Sequence, residues 1–203
     1  METHLYLVRH GETDWNRDQR LQGTLDVPLN SAGVAQARRL ADYFVRIPIM
    51  CIVSSPLARA SATAAILAEA CACPHTTDVR LREIDHGMWS GRTLPELGQR
   101  FPALVKDEQL LPEAFEVSRG EPLLAVYRRA SAALADLLDA YGGQSVVVVG
   151  HGVTLAAMWC AATGLEIARL LECQPPNTGG VVLTFSQHHL VDARVMAVAE
   201  IPA

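Results

Sequence analysis

The stretch Gln144–Gly150, QSVVVVG, runs through consecutive valines and passes directly into His151 and Gly152. A strand with one solvated face alternates apolar and polar residues. An unbroken apolar run belongs instead to a strand covered on both faces, as in a mostly parallel sheet. Its flanks agree. Upstream, PLLAVYRRASAALADLLDAY places Leu123, Val126, Tyr127, Ala130, Leu134, Leu137 and Leu138 on one helical face, and Gly142 and Gly143 end it. Downstream, VTLAAMWCAATG reads as a second helix, with Gly164 as its stop.

Working outward, the alternation continues. HLYLVRH is a short apolar run, and a loop rich in Gly, Asp and Asn follows it. In SAGVAQARRLADYF, Val34, Ala37, Leu40, Ala41 and Phe44 recur at helical spacing, with Ser31 as the expected N-cap. IMCIVSS is a second buried strand, LARASATAAILAEA a helix that Pro74 helps to stop, and TTDVRLREI an expected third strand. From His86 to about Gly120 the pattern weakens around Pro102 and Pro112, which predicts a cap insertion of short helices. GVVLTFS and LVDARVMAV, around QHH, read as a hairpin or two edge strands. The expected fold class is α/β: a three-layer αβα arrangement with a mostly parallel central sheet, helices on both faces and a small helical cap. The expected organisation is one domain over residues 1–203, with the insertion at about 86–120.

Composition excludes several classes. The chain has 203 residues, 50% hydrophobic and 19% charged, enough for a sizeable core and too apolar for disorder. A net charge of -5 and the lack of a basic run argue against a nucleic-acid partner. METH leads into a strand-like run without the look of a signal peptide, and no apolar stretch approaches the roughly 20 residues of a membrane span. The five cysteines are an odd count without a CxxC pair. They read as free thiols in a reducing cytosol, with Cys51 and Cys160 as core fillers. The expected location is therefore cytoplasmic, without a membrane partner.

Three strand-like runs end in cationic or imidazole residues. Arg9 and His10 follow the first, Arg59 lies just beyond SSPLA after the second, and His151 and Gly152 follow VVVVG. In this fold class ligands bind outside the carboxyl ends of the strands. Gathering two guanidinium groups and two imidazoles there makes a pocket for an anion, since the planar fork of arginine suits phosphate or carboxylate. The rival reading is a zinc site built from the histidines with Glu12 or Glu83. The neighbouring arginines would repel a divalent cation, so no metal and no cofactor are expected. An imidazole facing a held phosphate attacks phosphorus in line, and nearby guanidinium charge keeps its ring nitrogen neutral for the purpose. A leaving alkoxide needs a proton, and Glu83 in LREIDHG is the best placed carboxyl group.

LVRHGETDWN, SSPLARASATA, LREIDHGMWSG and VVVVGHGVTL resemble, in order, the four motifs of the histidine phosphatase superfamily, the phosphoglycerate-mutase-like group. The likeness spans most of the chain except the cap beyond Gly91, and leans to the phosphatase branch of α-ribazole and broad-specificity phosphatases. It implies His10 as the phosphorylated nucleophile, Arg9, Arg59 and His151 as the rest of the phosphate pocket, and Glu83 as proton donor. It also implies substrate-side roles for Asn16, Gln22 and Gly23 in the segment RLQGTLDVPLN, for Gly152, and more loosely for Asn177 with Thr178 in PPNTGG. Two departures stand out. His86 occupies a position where the family has an aromatic or small residue, so it is either a substrate contact or an ordinary cap histidine. Pro122 replaces a serine in RGEPLLAVYRR, as suits a first helical turn.

Other residues have plainer readings. Glu12 is expected to bond within its loop, Trp15 and Trp89 either to rim the pocket or to pack, and His4, His75, His188 and His189 to carry no chemistry. The expected activity is metal-independent hydrolysis of a small phosphomonoester through phosphohistidine. The alternatives are a phosphoglycerate mutase, disfavoured by the short chain, and a phosphate-ester sensor without turnover. A small phosphate ester is the expected partner, and a homodimer is compatible with these features. Phe101, Phe115 and Arg119 in the cap offer apolar and cationic contacts to an ester that the sequence does not name.

Overall fold

The computed structural model describes residues 1–106 and 109–196, the side chain of Gln109 aside. Along the chain these form β1 (Glu2–Arg9), α1 (Asp14–Arg17), α2 (Ser31–Phe44), β2 (Cys51–Ser54), α3 (Ala58–Cys71) and β3 (His75–Thr77). Then come α4 (Leu94–Arg100), β4 (Val105–Lys106), β5 (Gln109–Leu110), α5 (Glu113–Val117) and α6 (Leu123–Ala140). β6 (Ser145–Gly150), α7 (Gly152–Thr163), β7 (Gly180–Ser186) and β8 (His189–Val195) complete the order.

Six strands make the main sheet, in the order β3-β2-β6-β1-β7-β8. The pairs β1–β6, β2–β6 and β2–β3 are parallel, while β7 joins β1 and β8 joins β7 antiparallel. The valine run lies at the centre and divides its side chains between two cores. Val146 and Val148 pack with Leu5, Leu7 and the α6 and α7 side chains, whereas Val147 and Val149 pack with Tyr6, Val8 and residues of α2 and α3. The period of two sends successive side chains to opposite faces, so a strand without polar positions needs helices on both. The expected mostly parallel α/β sheet is what forms.

Local details differ from the sequence reading. Asn30, not Ser31, caps α2, its side chain accepting from Gly33 N at 2.8 Å. The third strand is only three residues long, because Asp78 accepts from Arg80 N at 2.8 Å and caps a 3-10 turn over Val79–Leu81. A local side-chain bond of this kind competes with the ladder and ends it. Glu83 consequently lies in the irregular segment after that turn, not at a strand end. In the tail only β8 is an edge strand, since β7 lies between β1 and β8. Ala197 and Val198, in the expected second tail strand, lie outside the described residues. Segment 86–120 holds the expected short helices, with a capping box of Thr93 and Glu96 on α4, and also the β4–β5 ribbon.

The loop leaving β1 is clamped at the sheet's carboxyl end. Glu12 N donates to Gln36 Oε1 at 2.8 Å, Asn30 Nδ2 donates to Glu12 Oε1 at 2.8 Å, and Gly11 N donates to Thr63 Oγ1 at 3.1 Å. The backbones of Gly11, Glu12 and Gly33 touch, and a Cβ on Gly33 would collide with the Glu12 carbonyl oxygen and stand 2.6 Å from its nitrogen. Only backbone surrounds that point, so the added atom has no flexible neighbour to displace. Gly33→Ala is therefore expected to lower stability by roughly 1–3 kcal/mol, the usual cost of overpacking. Urea unfolding checks this, and an unchanged midpoint and slope would show that the loop gives way freely.

Candidate active site

Backbone hydrogen bonds carry β1 past its end into the site. His10 N donates to Gly150 O at 3.1 Å, and Thr178 N donates to Arg9 O at 3.1 Å, so the Arg9–His10 corner is pinned from both sides. The His10 ring is buried, and its Nδ1 lies 2.7 Å from Gly11 O. A carbonyl only accepts, so Nδ1 carries the proton and Nε2 keeps a lone pair. Arg59 Nε donates to that lone pair at 3.2 Å. The His151 ring lies with its centroid 5.1 Å from that of His10, at a 60° tilt.

Arg59 stands in the first turn of α3 with 1% of its surface exposed. Its Nη1 and Nη2 donate to Leu25 O and Gly23 O, each at 2.7 Å. Gly23 supplies that carbonyl from a left-handed backbone at φ +53°, which glycine adopts without a Cβ penalty. Arg9 Nη1 donates to Pro175 O at 2.9 Å. Among the described residues neither guanidinium makes an ion pair. Burial lowers the Arg59 pKa to about 10, against the opposing pull of Glu83 and Asp26.

Burial, then the charges of Arg9 and Arg59, holds the His10 pKa well below its usual 6.5. Burial, then Arg59, does the same for His151. Both rings are neutral at pH 7, which leaves Nε2 of His10 nucleophilic.

These groups surround a cavity of about 180 Å³, whose wall includes Arg9, His10, Asn16, Gln22, Gly23, Arg59 and Glu83. His151 is fully buried behind that wall, and neither of its ring nitrogens has a protein partner. Arg9 Nε, Gln22 Oε1 and His86 Nδ1 are buried without partners as well. Buried polar atoms in folded proteins are normally bonded, so this concentration around one cavity marks a ligand site. The carboxylate of Glu83 accepts from Val153 N and Thr154 N at 3.3 Å, in the first turn of α7, and from Ile84 N at 3.0 Å. That turn holds the side chain at the cavity wall.

Asn16 is oriented by its cap. Its Oδ1 accepts from Thr13 N and Thr13 Oγ1 at 3.1 and 3.0 Å, which leaves the NH2 group for the cavity. Asn177 stands off the wall, where its Nδ2 donates to His10 O at 2.9 Å and approaches Asn16 Oδ1 at 3.4 Å. Gly152 likewise contributes close packing, since a Cβ there would stand 2.5 Å from Gln174 Oε1. His86 does line the cavity, stacked on Phe115 at 5.8 Å between centroids. Trp89 is buried against Phe101, away from the cavity.

Arg20, Leu94 and Gln174 also reach the wall. The sequence reading did not single them out, although Arg20 opens RLQG and Gln174 immediately precedes PPNTGG. Among the described residues no cluster of three or more His, Cys, Asp or Glu side chains is arranged to hold a metal. Nor is any helix among them long and apolar enough to cross a membrane.

Comparison with known proteins follows the same lines. A model of the histidine phosphatase superfamily (branch 1) matches residues 5–196. Phosphoserine phosphatase 1 of Hydrogenobacter thermophilus is 39% identical over 165 residues, 81% of this chain and 78% of that protein. A probable phosphoglycerate mutase GpmB of Enterobacter is 37% identical over 161 residues, 79% and 75% of the two chains. Among solved structures, a mycobacterial glucosyl-3-phosphoglycerate phosphatase in complex with VO3 superposes with a TM-score of 0.81 at 30% identity, covering 95% of this chain and 96% of that one.

The buried neutral histidines contribute to the acid behaviour of the fold. His10 and His151 bind protons less readily when folded than when unfolded, so the unfolded state takes up more protons once the pH falls below 6.5. Stability is then full above pH 6.5 and declines below it, by about 1.4 kcal/mol per pH unit for each such ring. Urea unfolding between pH 8 and 5.5 is expected to show that decline, and NMR of the ring protons to show neither His10 nor His151 titrating near 6.5. A histidine pair that titrates normally would contradict both.

Proposed function

The chain belongs to the histidine phosphatase superfamily, and from that membership we propose that it hydrolyses small phosphomonoesters through a phosphohistidine formed on His10, without a metal ion. The observation that carries this is the His10 ring, with its proton fixed on Nδ1 and its Nε2 lone pair facing the buried guanidinium of Arg59. We read residues 1–203 as one domain in which 86–120 caps the pocket. The phosphatase-named relatives support hydrolysis. The free thiols among the described residues accord with a cytoplasmic setting.

In the first step the phosphoryl group of the ester enters between Arg9 and Arg59. Its oxygens draw the Arg59 Nε–H away from His10 and free the lone pair. Nε2 attacks phosphorus in line, the P–N bond forms, and the bond to the ester oxygen breaks. The leaving oxygen takes its proton from the carboxyl group of Glu83. The guanidinium groups and one N–H of His151 balance charge on the equatorial oxygens, which is where most of the catalytic effect arises in phosphoryl transfer. In the second step a water molecule attacks phosphorus, Glu83 takes the water's proton, and the P–N bond breaks to release orthophosphate and restore neutral His10. Asn16 and Gln22 bind the phosphoryl oxygens from the wall in both steps. Asn177 positions His10 and Asn16 through its amide.

The mutase reading, suggested by the GpmB-named relative, requires the phosphohistidine to survive until a second hydroxyl receives it. Hydrolysis is favoured because the cavity shares Arg9, Asn16, Arg20, Leu21 and Leu94 with a larger groove, through which water reaches the site.

Phosphate release from a panel of small esters, with EDTA present, tests the proposal. Wild type is expected to release phosphate and His10→Ala to release none while keeping its fold. Metal-free release by His10→Ala would sink the mechanism. Glu83→Gln is expected to slow alkyl phosphates by about 10²–10⁴-fold. It should slow 4-nitrophenyl phosphate much less, since that leaving group departs without a proton. Equal losses on both would remove Glu83 from the acid role.

A further inference from the structure

Beside the reaction cavity lies a groove of about 530 Å³, roughly three times the size of the cavity's 180 Å³. Pairing between residues 20–21 and 91–93 builds it. Arg20 bridges to Thr93, Leu21 N donates to Arg92 O at 2.9 Å, and Gly91 N donates to Leu21 O at 2.7 Å. Trp15 packs on Gly91, its ring carbons 3.4 and 3.7 Å from where a Cβ would stand. A side chain at Gly91, whose φ is +84°, would press on the indole. Leu94, Pro95 and Val105 give the groove apolar walls.

Arg20 is the cationic group common to cavity and groove besides Arg9. Its Nη1 donates to Gly91 O at 3.0 Å, which sets the direction of the guanidinium. No carboxylate among the described residues pairs with it, although the chain carries 22 acidic against 17 basic side chains. An oriented, half-buried guanidinium without a protein counter-charge, standing where the reaction cavity meets the groove, is suited to a second anion on the substrate. The chemistry in the cavity uses Arg9 and Arg59, and the phosphoryl group leaves Arg20 without a part in it.

We propose that the groove holds the leaving alcohol of the substrate, and that Arg20 pairs with a second anionic group on that alcohol while its carbon skeleton lies along Trp15, Leu94 and Pro95. The inference rests on the hydrolase reading, because it takes the occupant of the groove to be the part of the ester that departs. The substrate class it names is the phosphomonoester of an alcohol larger than a two- or three-carbon chain, bearing a carboxylate or a comparable anion. A neutral ester of the same shape binds more weakly, since it leaves Arg20 without a partner.

Binding can be read apart from turnover in His10→Ala protein by calorimetry with three matched esters: 4-carboxyphenyl, 4-sulfophenyl and 4-methylphenyl phosphate. The two anionic esters are expected to bind about tenfold more tightly than the methyl ester at low salt, the carboxylate at least as well as the sulfonate. Adding Arg20→Gln should bring the ratio of dissociation constants close to one. Arg20→Lys should retain part of the preference, since it keeps the charge and loses the fork. Equal binding of all three esters would overturn the proposal, as would a preference that survives Arg20→Gln. Turnover of the same esters by wild-type protein judges the hydrolase reading separately. Failure there leaves the ratio of dissociation constants to decide the groove.

Discussion

Two arginines at the carboxyl end of a parallel sheet, Arg59 buried and Arg9 half-buried, without an ion pair among the described residues, are the constraint around which this molecule is arranged. Removing an unpaired charge from water costs several kcal/mol, and a fold tolerates it only when something repays it. Backbone carbonyls do part of this: Leu25 and Gly23 accept from Arg59, and Pro175 accepts from Arg9. Burial first, and then the remaining positive potential of the arginines, keeps the neighbouring imidazoles neutral. A phosphate dianion supplies what the protein withholds, so substrate binding discharges a cost already present in the fold.

The scaffold's task is to hold that arrangement against its own repulsion. The valine strand serves it by having no polar side. Both of its faces are committed to packed helices, and its end is then fixed in space. His10 and His151 follow directly on the ends of two paired strands, β1 and β6, which brings their rings together without a loop in between. The contact of Gly11 and Glu12 with Gly33 fixes the chain direction just after His10. Rigidity close to the reacting atoms is what makes preorganised electrostatic stabilisation effective.

The segment over the sheet's end follows a different logic. Short helices, a two-residue ribbon and a bridge from Arg20 to Thr93 make up this segment, and its His86, Leu94, Leu110 and Phe115 line the cavity. The segment's hydrophobic period is weak because its helices are short, yet Trp89, Leu97, Leu110, Ala114 and Phe115 bury themselves in the main core. Arg20 and Trp15 line the groove beside the cavity, and Arg20 reaches both.

The two-faced valine strand, the amphipathic periods of α2 and α6 and the strand-end placement of Arg9, His10 and His151 were legible in the sequence by itself. So was the meeting of these residues with Arg59 at one end of the sheet, because the rules of parallel α/β topology are local and few, whereas Glu83 reaches the cavity from an irregular segment and not from the expected strand end. What escaped it depended on contacts between distant segments. Asp78 bonding to Arg80 cut the third strand short. Asn30 took the cap of α2 because its side chain reached Gly33. Asn177 turned toward the His10 carbonyl instead of the cavity, and Trp89 found Phe101. A sequence states which groups are present and which face they leave an element by. The partners that consume their hydrogen bonds come from elsewhere in the chain, and only the tertiary structure decides which polar atoms remain free to meet a ligand.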